Sequence, residues 1–156
     1  MILAFGADHA GFALKQYLVA IARAGGHEVL DLGPCNGDRV DYPDFGEAVG
    51  RAVAEGRAER GVVVCSNGVG ISIAANKVPG VRCALCHTSW GAARAREHVD
   101  ANVLALGALE LGVAIAEEIF RAFVSTEWDG AGRHGVRVAK LMDVERRGIG
   151  AGAAGG

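Results

Sequence analysis

The sequence predicts a Rossmann-like three-layer α/β/α sandwich with a five-stranded parallel sheet. Short apolar runs alternate with longer segments whose apolar residues recur at helical spacing, an order that is typical of parallel β-α units. Glycine-containing turns separate many of these segments. Three consecutive valines at 62–64 have the pattern of a strand that is covered on both faces, as strands of a parallel sheet are.

The predicted elements follow one another in a regular order. Apolar runs predict strands at 2–5, 28–32, 62–64, 81–86 and 102–106. Helical spacing predicts helices at 12–22, 44–56, from 71 onward, up to 97, at 109–124 and, last, up to about 147. Thr88 or Ser89 is placed to cap the fourth helix, which leaves residues 98–101 as the connection to the fifth strand. The segment 33–43 is rich in Gly, Pro, Asn and Asp and predicts a surface loop.

One domain accounts for residues 1–147, and residues 148–156 are expected to form a flexible tail, because they are almost only Gly and Ala. A net charge of -2 argues against a nucleic-acid-binding protein, since such proteins usually show a basic excess. The first residues lack the basic and apolar regions of a signal sequence, and no apolar run is long enough to span a membrane. We therefore expect a soluble, cytoplasmic protein that binds neither nucleic acid nor membrane.

The four cysteines are expected to be reduced thiols, because the chain is large and lacks an export signal. Cys83, Cys86 and His87 formally match the C-x-x-C-H pattern of covalent haem attachment. We reject that interpretation, since the segment has the pattern of a strand and such attachment normally requires an exported chain. Packing within a strand is the expected role of both cysteines. The motifs G-x-G-x-x-G and G-x-x-x-x-G-K-S/T are absent, so a dinucleotide or NTP enzyme is not supported.

The stretch 62–72 carries the strongest functional signal. Its valines lead into a polar, glycine-containing turn, and a helix is predicted to follow. Such a unit points several backbone N–H groups at one spot near the positive end of a helix dipole, where negative charge is favoured. Cys65 lies on this turn, and a helix N-terminus favours the thiolate that acts as a base or nucleophile. A small, inert core cysteine is the competing interpretation, and the residues alone leave the two equally weighted.

Two further polar groups are candidates for a site. Asp8 and His9 follow the first strand, at the edge where open α/β sheets bind ligands, although Asp8 also suits a helix cap. Near the end of the chain, Arg133, His134 and Arg137 follow a turn, and the two arginines are spaced to share one helix face. Such a group can clamp an anion, while a solvated basic face is the ordinary alternative.

Five motifs, in the same order along the chain, resemble the type B ribose-5-phosphate isomerase family, which includes galactose-6-phosphate isomerase subunits. They lie at 6–11 (GADHAG), 41–44 (DYPD), 72–80 (SIAANKVPG), 100–107 (DANVLALG) and 132–134 (GRH), and the resemblance covers about residues 2–147. It implies an aldose–ketose isomerase, with ribose 5-phosphate to ribulose 5-phosphate as the first expectation, that works through a cis-enediolate with no cofactor and no metal. It also implies a homodimer with shared active sites, with a tetramer as the larger alternative.

The resemblance also implies roles for individual residues. Cys65 matches the base, and backbone N–H groups of the turn that follows it would hold the enediolate. His98 matches the histidine that opens the sugar ring, with Asp8 assisting at the ring oxygen. The implied substrate-binding residues, on the turn or around the phosphate, are His9, Ser66, Asn67, Gly68, Gly70, Val99, Arg133, His134 and Arg137.

Three residues depart from the family pattern. Val99 stands where the family usually has asparagine, Leu109 where it has arginine, and Asn67 where it has threonine. Valine cannot replace the hydrogen bonds of an amide, so a different sugar phosphate or a sugar acid is an alternative substrate. With equal weight, these changes are tolerated in an ordinary ribose-5-phosphate isomerase. A third hypothesis, a non-catalytic subunit of a heteromeric isomerase, is disfavoured because the implied base and ring-opening histidine are retained.

Overall fold

The structure, a computed structural model that describes residues 1–128 and 130–152, is a five-stranded parallel sheet with helices on both faces. The strands are β1 (Ile2–Ala7), β2 (Glu28–Asp31), β3 (Arg60–Cys65), β4 (Cys83–Leu85) and β5 (Val103–Gly107). The helices are α1 (Phe12–Ala24), α2 (Tyr42–Ala54), α3 (Val69–Asn76), α4 (Ser89–Val99), α5 (Val113–Ser125) and α6 (Gly132–Gly152). The predicted fold class is confirmed. Among the described residues, no helix combines the length and the apolar character needed to cross a membrane.

The strand order is β2-β1-β3-β5-β4, and every neighbouring pair is parallel. The chain moves from β1 outward to β2 and then returns to the other side of β1 for β3, so the topological switch point lies between β1 and β3. Open α/β sheets bind ligands at such a point, outside the carboxyl ends of the strands. Ala7 pairs with Val64, and Cys65 pairs with Gly107, so the ends of β1, β3 and β5 meet at this edge.

Two apolar cores enclose the sheet, and β3 contributes to both. Val62 and Val64 face the core shared with α1, α4 and α5, whereas Val63 and Cys65 face the core shared with α2 and α3. Every residue of β3 is buried. Because burial of one valine contributes about 1.5–3 kcal/mol, the strand that ends at Cys65 is firmly anchored.

Helix α4 ends two residues later than the sequence predicts, which changes the setting of a candidate site residue. Asp100 closes the helix in a left-handed conformation with φ 47°. His98 and Val99 therefore lie on the last turn of the helix rather than in a connection. At the other end, Thr88 is the cap, since its side chain accepts a hydrogen bond from the N–H of Gly91.

The last two helices also differ from their predicted bounds. Helix α5 begins at Val113 rather than near residue 109, because the N–H groups of Glu110 and Leu111 donate to the carbonyl of Gly107 and form a turn. Helix α6 continues to Gly152, beyond the predicted end near 147 and into the segment that was expected to be a flexible tail. The rest of that predicted tail, 153–156, lies outside the described residues.

Candidate active site

The carboxyl ends of the central strands hold the first group of candidate residues. Asp8 follows β1 and donates its backbone N–H to the carbonyl of Val64 over 3.1 Å, which holds it beside Cys65 at the end of β3. Neighbouring strands lie about 4.8 Å apart, so the two backbones are adjacent. We call Asp8, Cys65 and the turn 66–70 the carboxyl-edge cluster. The structure brings these predicted residues together.

The Cys65 thiol faces the N-terminus of α3. Its sulfur accepts a hydrogen bond from the N–H of Gly68 over 3.1 Å, and the residue is only 3% exposed. Gly68 caps the helix with φ 77°, a left-handed conformation that favours glycine. A Cβ added there would lie 2.4 Å from Leu85 and 2.9 Å from the backbone of Leu106. The turn thus aims an N–H donor at the sulfur, a geometry that suits a cysteine acting as a base or nucleophile.

Other backbone N–H groups of the turn are open to a ligand. Within the described chain, the N–H groups of Ser66, Asn67 and Gly70 have no acceptor, whereas that of Val69 donates to Asn67 Oδ1 over 3.1 Å. The ring of Tyr42 covers Gly70, since an added Cβ would come within 2.7 Å of that ring. Several free donors on one rigid turn are suited to stabilise an oxyanion.

Asp8 and His9 tie this edge to its surroundings. Asp8 is nearly buried, and its Oδ1 accepts a hydrogen bond from the N–H of Gly11 over 2.9 Å, so it fixes the turn that leads into α1. A carboxylate accepts several hydrogen bonds, so this contact does not use up its capacity. His9 is exposed, and its Nδ1 lies 3.3 Å from the carbonyl oxygen of Val40 in the loop before α2.

A second group of candidate residues lies where α4 ends and α6 begins. The imidazole rings of His98 and His134 stack with their centroids 4.3 Å apart and an angle of 7° between their planes. They line an open cavity of about 410 Å³, whose other lining residues are two arginines and two glutamates, Arg94, Glu97, Glu127 and Arg133. We call these six residues the helix-end cluster. Its charged and polar lining suits a ligand with anionic and hydroxyl groups.

Ion pairs fix the helix end that carries His98. Asp100 accepts hydrogen bonds from Arg82 and from Arg96, and each donor–acceptor distance is 2.7 Å. Arg96 also donates to the carbonyl of Ala101 over 2.6 Å. Both guanidinium groups are largely buried, so these charge-assisted bonds are stronger than exposed ion pairs. The network holds the last turn of α4 in place.

Arg60 holds the segment that leads toward α6. Its guanidinium donates to the carbonyls of Phe123 and Val124 over 2.7 and 2.8 Å and to Glu127 over 3.2 Å. Burial lowers the pKa of Arg60, as does the charge of Arg96, while Glu127 acts in the opposite direction. Arg60 thereby helps to place Glu127 at the cavity.

The two clusters lie at opposite ends of the sheet. Cys65 pairs with Gly107 at the carboxyl end of β5, whereas α4 runs back along the sheet and delivers His98 shortly before Val103, where β5 begins. The length of β5 from Val103 to Gly107 is about 13 Å. Neither Cys65 nor Asp8 lines the cavity that contains His98. Within one chain, the structure does not bring the predicted base and the predicted ring-opening histidine together.

The remaining residues that were predicted to bind substrate lie in different parts of the structure. Arg133 lines the cavity of the helix-end cluster, and Arg137 is exposed one helical turn further along α6. Val99 faces elsewhere, since it lines an apolar cavity of about 280 Å³ between α4, the β4 segment and α6. Its predicted contact with substrate stays a prediction.

Sequence reasoning missed three residues of the helix-end cluster and one residue that packs on the carboxyl-edge cluster. Arg94, Glu97 and Glu127 complete the charged cavity, and Tyr42 covers the glycine turn. A signal existed for Arg94, because it precedes His98 by four residues and so shares its helix face. No local pattern pointed to Glu127 or Tyr42, since tertiary packing alone brings them to these places.

Two other cysteines have the surroundings of packing residues. Cys83 lies on β4 and Cys86 just after it, and each packs against one of the two cores. Burial raises the pKa of Cys83 far above its usual range, with a smaller contribution from Cys86. Burial also raises the pKa of Cys86 to about 11. Both thiols therefore stay protonated at neutral pH.

Known proteins resemble this chain over nearly its whole length. A sequence model of the Ribose/Galactose Isomerase family matches residues 3–141. Ribose-5-phosphate isomerase B of Escherichia coli is 42% identical over 145 residues, 93% of this chain and 97% of that protein. D-erythrulose-4-phosphate isomerase of Pectobacterium atrosepticum is 37% identical over 131 residues, 83% of this chain and 86% of that protein. A solved structure of Clostridium thermocellum ribose-5-phosphate isomerase B has a TM-score of 0.92 at 44% identity and covers 94% of this chain and 99% of its own.

Proposed function

The chain belongs to the Ribose/Galactose Isomerase family, as an isomerase of the ribose-5-phosphate isomerase B type, and we propose that it interconverts ribose 5-phosphate and ribulose 5-phosphate. The observation that carries the proposal is the Cys65 sulfur, which faces a glycine turn with free N–H donors at the switch point of the sheet. All four cysteines are free thiols. A thiolate base needs a reduced cysteine, which fits work in the cytoplasm.

Isomerisation moves a proton from C2 to C1 of the sugar. It needs one base and hydrogen-bond donors that stabilise the negative charge of the intermediate. In the proposed step, the Cys65 thiolate takes the proton from C2 of the open aldose, and the electrons of the C1 carbonyl move onto O1. The N–H groups of Ser66, Asn67 and Gly70 stabilise the resulting enediolate. A proton passes from O2 to O1, the thiol returns its proton to C1, and a carbonyl forms at C2. Every proton is conserved, so the step is an isomerisation.

Ring opening needs a second pair of groups. A furanose must gain a proton on its ring oxygen while its O1 hydroxyl loses one. We assign this transfer to His98, with Asp8 assisting at the ring oxygen. The polar cavity around His98 is large enough for a pentose, and its lining suits the sugar hydroxyls.

The phosphate is assigned to cationic side chains. Arg133 and Arg137 stand one turn apart at the start of α6, and guanidinium groups bind phosphate through paired, charge-assisted hydrogen bonds. The family resemblance implies His9 and His134 as further phosphate contacts, and of these two we assign only His9 to the phosphate.

The separation of the two clusters supports a homodimer with shared active sites. Cys65 and His98 lie at opposite ends of the same sheet, so one chain cannot apply both to one five-carbon sugar. Two copies related by a twofold axis can place the carboxyl-edge cluster of one beside the helix-end cluster of the other, and the symmetry then creates two equal sites.

The substrate proposal is tested by initial rates of the purified protein on ribose 5-phosphate without added metal. Other aldose phosphates and unphosphorylated sugar acids are measured beside it. We expect ribose 5-phosphate to give the highest kcat/KM. A clearly higher value for another sugar would overturn the substrate while keeping the reaction class, and silence across all sugars would favour a non-catalytic subunit.

A different sugar phosphate is the second candidate substrate, and two observations favour it. Leu109 is 77% exposed directly beside the turn, where its N–H donates to the carbonyl of Ser66 over 2.9 Å. A relative with similar identity is a D-erythrulose-4-phosphate isomerase. Since Leu109 cannot bind a phosphate, a shorter sugar phosphate belongs in the same set of rate measurements.

The shared site is tested by mixing two inactive variants, Cys65→Ala and His98→Gln. Each homodimer lacks one essential group in both sites, so cyclic ribose 5-phosphate reacts slowly with either. After mixing under conditions that exchange subunits, half of the dimers are mixed, and each of these has one intact site if the sites are shared. Activity then recovers to about a quarter of the wild-type value. No recovery, despite exchange shown by native mass spectrometry, contradicts shared sites.

A further inference from the structure

The stacked histidines point to a role for His134 other than phosphate binding. We infer that His134 is a positioning residue: its ring stacks on His98 and fixes the orientation in which His98 opens the sugar ring. This inference rests on the proposed function, because it refines how one step of that reaction is prepared.

The geometry of the pair restricts rotation of the His98 ring. The centroids are 4.3 Å apart and the planes differ by only 7°, so the two rings lie face to face. The torsion that turns an imidazole about its axis has a broad energy well, so an unsupported histidine on a helix end can present its nitrogens in many directions. A parallel ring against one face removes that freedom and leaves the ring edge, which carries both nitrogens, to meet the sugar.

The two rings belong to elements that are each anchored by contacts outside the stack. Asp100 and its ion pairs hold the end of α4. Helix α6 is held by Glu145, which accepts a hydrogen bond from the N–H of Gly80 over 2.9 Å, and by Met142, whose sulfur lies 3.6 Å from a nitrogen of Arg82. Because Arg82 contacts both Asp100 and Met142, one side chain links the two supports. The end of α4 and helix α6, which carry the two stacked rings, are therefore both held in place.

The ion pairs in the cavity indicate that a side chain other than His134 can bind the phosphate. Arg94 is paired with Glu97, and Glu127 is paired with Arg60. Among the described residues, Arg133 has no acidic partner within ion-pair distance, although it lines the same cavity. A phosphate needs charge-assisted bonds, and a free guanidinium supplies two at once. Arg133 can thus hold the anion while the face of His134 stays on His98.

The test uses three substitutions that separate stacking from hydrogen bonding. His134→Phe keeps an aromatic ring on His98 but cannot bind phosphate. His134→Asn keeps hydrogen-bonding capacity but has no ring, and His134→Ala has neither. Each variant is assayed on ribose 5-phosphate, which is mostly cyclic, and on erythrose 4-phosphate, an aldose that cannot form a furanose because its C4 oxygen is esterified. Melting temperatures show whether each variant is folded.

For a positioning role, His134→Ala and His134→Asn lower kcat/KM for ribose 5-phosphate by about 100-fold, the usual effect of a misplaced catalytic group. Both change kcat/KM for erythrose 4-phosphate by less than about threefold, and His134→Phe restores most of the rate on ribose 5-phosphate. If His134→Phe is as slow as His134→Ala, or if both substrates are slowed equally with a raised KM, His134 is a phosphate ligand and the inference is overturned. Inactive wild-type protein would instead remove the proposed function itself.

Discussion

The carboxyl-edge cluster is built mainly from backbone, whereas the helix-end cluster is built from side chains. At the carboxyl edge, the N–H of Gly68 donates to the Cys65 sulfur, and three further N–H groups of the same turn have no acceptor among the described residues. At the helix ends, two stacked imidazoles and four charged side chains surround a cavity. The first depends on strand register and on glycine, and the second depends on ion pairs and on the relative placement of two helices.

This difference implies a division of labour between the clusters. Backbone donors present the same geometry whichever residue occupies the position, so the carboxyl-edge cluster suits the proton transfer that all aldose–ketose isomerisations share. Side chains on helix ends are readily exchanged, so the helix-end cluster is suited to distinguish substrates. We therefore expect changes in sugar choice to involve His98, the start of α6 and exposed side chains beside the turn such as Leu109, while changes at Cys65 remove the chemistry.

The largest effect is expected from removal of the proposed base. Cys65→Ala should lower kcat by about 10³-fold, because no other group on the turn can accept the C2 proton. The folding midpoint should change little, since a side chain of similar size is replaced. Cys83→Ala is the matched control, a cysteine of the same sheet that lies outside both clusters. Near-wild-type turnover of Cys65→Ala on ribose 5-phosphate would sink the assignment.

A second substitution breaks the backbone geometry without touching the thiol. Gly68→Ala places a methyl group 2.4 Å from Leu85 at φ 77°, so the turn must shift and its N–H donors lose their aim. Activity should fall by about 100-fold, with a loss of about 1–3 kcal/mol in the free energy of unfolding.

Gly26→Ala provides the matched control for that strain. Gly26 has a similar φ of 79°, but an added Cβ would meet nothing within 4 Å, and the residue lies in a turn after α1. Because of the left-handed conformation, Gly26→Ala should lower the free energy of unfolding by a similar amount. Its activity should stay at the wild-type level. Equal losses of activity in both variants would show that general destabilisation, and not the turn geometry, is responsible.

A third substitution weakens the support of the helix-end cluster alone. Asp100→Asn tolerates the left-handed backbone but removes the charge that pairs with Arg82 and Arg96. We expect a loss of about 2 kcal/mol in urea unfolding, because two largely buried guanidinium groups lose their partner. The kcat/KM for ribose 5-phosphate, which is mostly cyclic, should fall more than the kcat/KM for erythrose 4-phosphate, which cannot form a furanose.

The control for lost charge is Asp143→Asn, which removes an exposed ion pair with Arg146 on α6. Exposed pairs of this kind contribute little, so its unfolding midpoint should stay near the wild-type value. A destabilisation as large as that of Asp100→Asn would contradict the importance of the buried network.

The carboxyl-edge cluster was largely predictable from the sequence, and the helix-end cluster was not. Three valines followed by a glycine-containing turn are local signals, so the position of Cys65 at a strand end and before a helix could be deduced from adjacent residues. The sheet brings Asp8 to the same edge because parallel strands end together. The fold class followed from the same alternation of strands and helices.

The stacking of His98 on His134 depends on contacts that no local pattern reports. The residue that ends α4 is Asp100 in a left-handed conformation, where the usual stop signal is glycine, so the helix appeared to end before His98. The helix that carries His134 starts far along the chain, and its approach to α4 is fixed by tertiary contacts such as the bond between Glu145 and Gly80. Local sequence cannot encode that approach by itself.

The smallest expected effect is a difference in thiol reactivity between two cysteines that are almost equally buried. Cys65 is 3% exposed and Cys86 is 5% exposed. Burial raises the pKa of Cys86 to about 11, so below that pH its thiol is protonated and unreactive. Cys65 has an N–H donor at its sulfur, so it should react with iodoacetamide about tenfold faster than Cys86 at pH 8, as followed by peptide mass spectrometry. The difference should shrink as the pH approaches 11, because Cys86 then ionises. Equal rates at pH 8, with exposed Cys35 labelled first in the same sample, would mean that the turn gives the Cys65 sulfur no advantage and that the proposed base must be sought elsewhere.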